Sequence, residues 1–390
     1  MADERKWVTA EPENSETPIE SLASWVTPSR LFFVRNHFDP PAIDLKTWRL
    51  SVEGLVGSKR QWTWAELNEM PQRTVFATVE CAGNGRSFLH PHAAGVQWGA
   101  GAIGHAEWTG IPLRDVLKAS GLDPAATEVV CVGADEGCEA DHPIPMHFAR
   151  SLPVSKALHP DTLLALRMNG ELLEAVHGYP LRLFVPGWYG VASVKWLNRI
   201  VAIDRPFQGY FQTAKYTIDR RVGNATKRVV VGPMVVKSEI LRPRPGETLG
   251  IGTNRIFGLA WAGEQAIARV EVSTDGGAIW TQAQIVGPRA AYSWCLWEFL
   301  WEVGTAGSYA LLARAVSESG DVQPTEHDPL LGGYVITHSR PTNVEVAPTR
   351  RSHVAQSDAD ALVYDMNAFA EENARLPLDL DLEYAAGGGI

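Results

Sequence analysis

Cysteine is scarce in this chain. Four residues in 390, Cys81, Cys131, Cys138 and Cys295, are too few for a disulfide scaffold, and no two stand in a CxxC or CxxCH spacing. A cysteine that matters here acts as a thiolate. Long hydrophobic runs are missing too. No stretch approaches the ~18 apolar residues of a membrane span, and the N-terminus, polar from Asp3 to about Ser21, lacks the apolar core of a signal peptide. These absences lead to the expectation of a cytoplasmic protein, or a periplasmic one if the sequence is a processed form, with no membrane partner. Positive charge is in deficit, Lys+Arg 35 against Asp+Glu 45 for a formal net charge of -10, and no long basic block offsets it. That balance argues against nucleic acid as a partner and for small molecules or proteins. No internal repeat occurs, and the terminal glycines are the one low-complexity tract.

What is present is enough chain for two or three domains at ~150 residues each. Residues 1–30 are polar and rich in Pro, Glu and Ser, which reads as an arm wrapped on a domain. From 31 to 230, β-rich runs at 48–52, 74–80, 128–132, 181–185 and 200–203 alternate with helical candidates at 64–69, 113–119 and 146–151, the texture of an irregular α+β domain. Between Pro206 and about Pro245 helical periodicity is lost, and Pro233, Pro243 and Pro245 with Gly232 and Gly246 mark a connector into the next region. Residues 231–343 turn all-β, with strand-like runs at 269–273, 281–285 and 308–316 and a turn at Thr274-Asp275-Gly276-Gly277, as in an immunoglobulin-like sandwich. Trp294, Trp297 and Trp301 suit its core or an interface. Residues 344–390 read as an appended tail, with helical spacing over 358–375 and apolar alternation over 378–382.

Three segments carry chemistry. In Glu80-Cys81-Ala82-Gly83-Asn84-Gly85-Arg86 a strand delivers a thiol to a loop of small residues, where a bulky group can approach the sulfur and Arg86 can favour a thiolate or bind an anion. Taken alone, Cys81 reads equally as a buried thiol at a strand end. Arg35-Asn36-His37 follows the apolar anchors Phe32, Phe33 and Val34 and sets a guanidinium, an amide and an imidazole side by side. His177-Gly178-Tyr179-Pro180-Leu181-Arg182, followed by Ser193-Val194-Lys195-Trp196, gathers cations and small residues about an apolar strand, as a phosphate-bearing cofactor requires.

These motifs, in this order, resemble the sulfite oxidase family of molybdopterin enzymes, over about residues 28 to 340. The resemblance implies a molybdopterin-binding α+β domain followed by an immunoglobulin-like dimerisation domain, seen also in 273–280 and Val322-Gln323-Pro324. It implies molybdenum-molybdopterin as cofactor, with the Cys81 thiolate as metal ligand, a role that suits a soft sulfur donor. Phe33, Arg35, Asn36, His37, Asp135, His177, Arg182, Ser193, Val194 and Lys195 would hold the pterin, and Arg35, Arg86 and Tyr216 would bind and turn over the substrate. The activity implied is oxygen-atom transfer converting sulfite, a small anion, to sulfate, by a homodimer that passes electrons to a separate acceptor, a cytochrome or other carrier.

The sequence departs from the family at one place. Animal sulfite oxidases use a further pocket arginine from the second domain, expected here near 328–333, where the chain reads Asp328-Pro329-Leu330-Leu331-Gly332-Gly333. Arg340 and Lys215 are the cations that can substitute. The same fold and cofactor acting on another sulfur compound or oxyanion, such as a sulfoxide, a thiosulfate-derived group or nitrate, is the alternative. A cysteine hydrolase built on Cys81 with His37 or His177 leaves Arg182 and Lys195 without a purpose, and a non-catalytic scaffold leaves Cys81 in its glycine-rich loop without one.

Overall fold

Residue-level alternation of apolar side chains sets the first domain. In this computed structural model, which describes residues 4–348, Arg73–Glu80 pairs antiparallel with Ile103–Pro112, and Leu163–Met168 and Glu171–Leu172 extend the sheet. A second sheet runs Arg60–Trp62, Leu50–Gly54, Leu197–Ile203, Glu128–Glu139 and His142–Pro153. The helices Trp64–Asn68 and Leu113–Ala119 form where expected, the first closed by a capping box between Thr63 and Glu66. The helix expected over 146–151 does not form. Those residues lie in the strand His142–Pro153, where Phe148, Arg150 and Leu152 point inward at every second position and pair along Glu128–Glu139.

The N-terminal arm is tied down by strands. Lys6–Thr9 pairs with Asn14–Glu16, which pairs with Val34–Arg35. The connector is more structured than its Pro and Gly content implies, since it carries the antiparallel hairpin Thr217–Val222 with Ala225–Val230. Beyond it two sheets face each other, one containing Lys237–Arg242, Gly252–Trp261, Cys295–Val303 and Gln284–Val286, the other Thr248–Gly250, Thr342–Ala347, Gly307–Ser317, Ile267–Ser273 and Thr281–Gln282. Trp297 and Trp301 fill the space between them, whereas Trp294 donates its indole N–H to the Trp25 carbonyl of the arm at 3.0 Å. The strand Thr342–Ala347 buries Val344 and Val346 in this core, so the sandwich runs past residue 343. The helical spacing at 358–375 and the alternation at 378–382 lie outside the described residues. Among the described residues no helix is long and apolar enough to cross a membrane.

Both regions belong to one compact unit, and a buried polar clamp joins them. Glu80, the last residue of its strand, accepts from Lys237 Nζ at 3.0 Å and Asn84 Nδ2 at 3.1 Å through one oxygen and from Trp261 Nε1 at 2.9 Å through the other. The Lys237 and Glu80 side chains are each 2% exposed. A buried carboxylate is tolerated only when paired and hydrogen-bonded in this way. Its position fixes the next residue, Cys81, against the sandwich.

Candidate active site

Cys81 follows directly on the strand. Its N–H donates to Ala102 at 2.9 Å, and its carbonyl accepts from Asn84 N–H at 2.9 Å, which folds the loop back. Burial pushes the thiol above its ordinary range, opposed first by the Arg35 charge, then by the Gly83 N–H and by Arg86. Gly83 and Gly95 bracket the Arg86 guanidinium, and a Cβ on either would come within 2.6 Å of it. Only glycine lets the guanidinium lie there.

Two cavities meet at Cys81. The inner one is lined by Phe33, Arg35, His37, Cys81, Asp135, His177, Arg182, Ser193 and Lys195 among others. Lys195 donates to Asn36 Oδ1 and to the Val176 carbonyl. Burial lowers the Lys195 ammonium and raises the Asp135 carboxyl. His177 is held down at about 3 by burial, with the charges of Lys195 and Arg182 adding to it, so it stays neutral. Ser193 Oγ accepts from Val185 N–H at 3.1 Å. Two expected residues do not line it: Asn36 lies on the outer cavity, and Val194 is fully buried, its carbonyl accepting from Leu183 N–H at 2.8 Å, so that it serves the neighbouring strand.

The outer cavity shares Arg35, His37, Cys81 and Tyr216 and adds Arg86, Lys215 and Tyr334. Tyr216, in a left-handed backbone conformation at φ 54°, places its phenol oxygen 2.7 Å from His37 Nε2 and 3.3 Å from Arg35 Nη2. Burial pushes the phenol up to about 12 against the pull of Arg35. Burial first, then the charges of Arg35, Lys195 and Arg150, hold His37 far below its usual range, so the imidazole is neutral. Arg86 donates Nε to the Gly333 carbonyl and Nη1 to the Val96 carbonyl, each at 2.9 Å, and lies 5.2 Å from the Tyr334 ring.

Local pattern missed two members of this site. Tyr334, whose ring sits 4.9 Å from that of Tyr216, comes from the sandwich. Arg150, 1% exposed behind Tyr216, donates to the Phe211 and Val231 carbonyls and leaves Nε without a partner. A charged residue at an inward position of a strand was the available signal, hidden by the helical reading of 146–151. Of the two substitutes for the absent arginine, Arg340 points away, paired with Glu239 at 2.8 Å and lying over Phe88. Lys215 reaches the outer cavity but is paired with Asp141 at 2.9 Å. Among the described residues neither His37 nor His177 hydrogen-bonds the Cys81 thiol; His37 Nε2 is engaged by Tyr216 and His177 Nε2 by the Ser29 carbonyl. A cysteine hydrolase needs such a contact.

The donor set fits a metal-bearing anionic pterin. Asn36 Nδ2, Asp135 Oδ1 and Arg182 Nε are buried with no partner among the described residues, and buried polar groups are ordinarily paired. Among the described residues Arg35, Arg86, Arg150, Arg182 and Lys195 have no carboxylate within ion-pair distance, which leaves the site with uncompensated positive charge. Among the described residues no group of three His, Cys, Asp or Glu gathers there either, so a metal held by Cys81 would need its other ligands from a cofactor. Residues 37–211 match the oxidoreductase molybdopterin binding domain, and 228–335 match the Mo-co oxidoreductase dimerisation domain. Fold and site together define a molybdenum-dependent oxidoreductase that carries molybdopterin.

The chain is 36% identical to the sulfite oxidase of Gallus gallus over 342 residues, covering 82% of this chain and 72% of that protein. It is 33% identical to the nitrate reductase of Hordeum vulgare, covering 80% of this chain and 38% of that one. Among solved structures, the sulfane dehydrogenase SoxCD from Paracoccus pantotrophus superposes with a TM-score of 0.76 at 32% identity, covering 87% of each chain. The chain belongs to the sulfite oxidase family. It spans between 58% and 72% of the length of the animal sulfite oxidases it matches.

Proposed function

We propose that this protein oxidises sulfite to sulfate and passes the electrons to a separate acceptor. The observation that carries the reading is the gathering around one thiol of cations that have no carboxylate within ion-pair distance among the described residues: buried Arg182 and partly buried Lys195 on the cofactor side, partly buried Arg35 and buried Arg86 on the substrate side. Bound molybdopterin supplies the two-electron oxygen-atom transfer at its metal. Cys81 ligates that metal as a thiolate. Arg35 and Arg86 hold the sulfite dianion by charge-assisted hydrogen bonds, Arg86 through Nη2, which has no acceptor among the described residues. With His37 as the Nε2–H tautomer, Tyr216 accepts from Arg35 Nη2 and from His37, which leaves its own proton to donate to a substrate oxygen. Neutral His37 suits that arrangement, and Arg150 behind the ring favours negative charge at the phenol oxygen.

A steady-state comparison of sulfite, nitrate and a sulfoxide on molybdenum-loaded protein, with an artificial acceptor or donor, tests the proposal. Sulfite should give the highest kcat/KM; a preference for nitrate or sulfoxide would overturn the assignment. One feature favours a second reading, a larger sulfur compound of the kind named for SoxCD. Where animal sulfite oxidases place an arginine, this mouth offers the Gly333 carbonyl and the Tyr334 ring. The sandwich also supports a homodimer, formed mainly through about 235–340. Light scattering at micromolar concentration should return twice the chain mass, and a strict monomer would refute it.

A further inference from the structure

The hairpin that follows Tyr216 is unlike the rest of the molecule. In a chain of net charge -10 it carries Arg220, Arg221, Lys227 and Arg228 against Asp219 alone. Asp219 is taken by Arg228, 3.0 Å away. Among the described residues Arg220, Arg221 and Lys227 have no carboxylate within ion-pair distance. Arg220 stands directly opposite Lys227 in the strand register, a like-charge pair that costs a hairpin stability. Val222 and Val230 on the same element are 59% and 41% exposed. Cations without counter-ions, a repulsive cross-strand pair and exposed valines are poor choices for a free surface and good ones for an interface with an acidic partner.

Its placement says which partner. The hairpin begins at the residue after Tyr216 and ends where Val231 N–H donates to the Tyr216 carbonyl at 2.8 Å, so its base adjoins Tyr216, a wall residue of the outer cavity. Sulfite plus water yields sulfate, two protons and two electrons. An acceptor protein with a one-electron centre therefore visits twice per turnover and is reduced once each time. An acidic acceptor is repelled by this chain as a whole and needs a local cationic surface to approach the site. We propose that the hairpin Thr217–Val222 with Ala225–Val230 is the docking surface for an acidic redox protein that accepts the electrons. This rests on the sulfite-oxidising reading for its redox step, though not for the docking itself.

The test uses the full molybdenum-loaded chain, an acidic c-type cytochrome as probe and a small dye as control acceptor. Lys227→Glu turns the facing like-charge pair into an opposite-charge one, so the hairpin keeps its fold; Arg221→Glu is the second variant. Calorimetric titration with the cytochrome at low ionic strength should show at least a tenfold rise in Kd for each variant. The salt dependence of kcat/KM for the cytochrome should flatten, and sulfite turnover with the dye should not change. An unchanged Kd in both variants overturns the proposal. So does a rise in sulfite KM with the dye at unchanged cytochrome Kd, which makes the hairpin a substrate-steering element, and so does binding of a DNA oligonucleotide in preference to the cytochrome. Loss of cytochrome binding in a protein whose wild type oxidises no sulfite with the dye supports the docking surface and sinks the functional reading alone.

Discussion

The inner and outer cavities share Arg35, His37, Cys81 and Tyr216 and differ in how the rest of their walls are assembled. The inner one is made from contiguous motifs, 33–37, 177–182 and 193–196, each of which brings several of its groups at once. The outer one draws on more scattered segments, 9–14, 35–37, 94–98 and 211–216 with Cys81, Arg86, Glu139 and Tyr334, and its wall opposite Arg86 belongs to the sandwich: the Arg86 to Gly333 hydrogen bond joins positions 247 apart. A cofactor site can be carried by local sequence because the ligand is large and fixed in shape, so several neighbouring residues can all touch it. A small anion touches few atoms, and those few come from wherever the packing supplies them.

The largest expected effect strikes Cys81, one of the four residues that line both cavities. Cys81→Ser should abolish turnover while circular dichroism melting stays within a few degrees of wild type, because the change alters the metal's donor and removes little core volume. Near-normal activity would remove Cys81 as the ligand. Next, Lys237→Met strips the cation from buried Glu80 and should cost about 3–5 kcal/mol in urea unfolding. Since Glu80 fixes the seam between the domains, KM for sulfite should rise while molybdopterin content per chain holds. Equal loss of cofactor and substrate binding would mean that the two cavities do not differ in this respect.

Arg86→Met should raise the KM for sulfite about ten- to a hundred-fold, one charge-assisted contact of about 1.5–3 kcal/mol, and leave a neutral sulfoxide nearly unaffected. Equal losses for both would show that Arg86 acts by holding the Gly333 and Val96 carbonyls. The smallest effect is on pH stability. His105 and His177 are both buried and held at about 3, each chiefly by burial. The folded protein keeps them neutral while the unfolded chain protonates them below about 6.5, so stability is intact above that pH and falls as pH drops toward 3. The slope from these two is at most about 1.4 kcal/mol per pH unit each. His105 lies outside both cavities, so bound cofactor should flatten the part from His177 alone; an identical slope with and without cofactor would contradict its placement in the inner cavity.

Much of the site was legible because its residues are neighbours in sequence. A strand running into Cys81-Ala82-Gly83-Asn84 is a local pattern, and so are the imidazole and cations from His177 to Lys195. Other parts were not legible for equally physical reasons. The stretch 146–151 reads as helix until its partner strand Glu128–Glu139 is known, because pairing rather than propensity decides its conformation. Arg150 became visible as a site residue only with that correction. The pairing of His37 with Tyr216 spans 179 positions, and nothing near either residue announces it.

The sequence by itself determined which chemistry the chain can carry: a thiol in a loop open enough for a bulky ligand, cations spaced for an anionic cofactor, and a β-rich second region with an aromatic core. Tertiary structure alone decided how a small anion would be held. It brought Tyr334 and Gly333 from the sandwich, set Arg150 behind Tyr216, and turned Arg340 away to Glu239. Contacts of that kind depend on how separate surfaces pack. Their energy resides in pairs far apart along the chain, and neither member of a pair carries a local sign of the other.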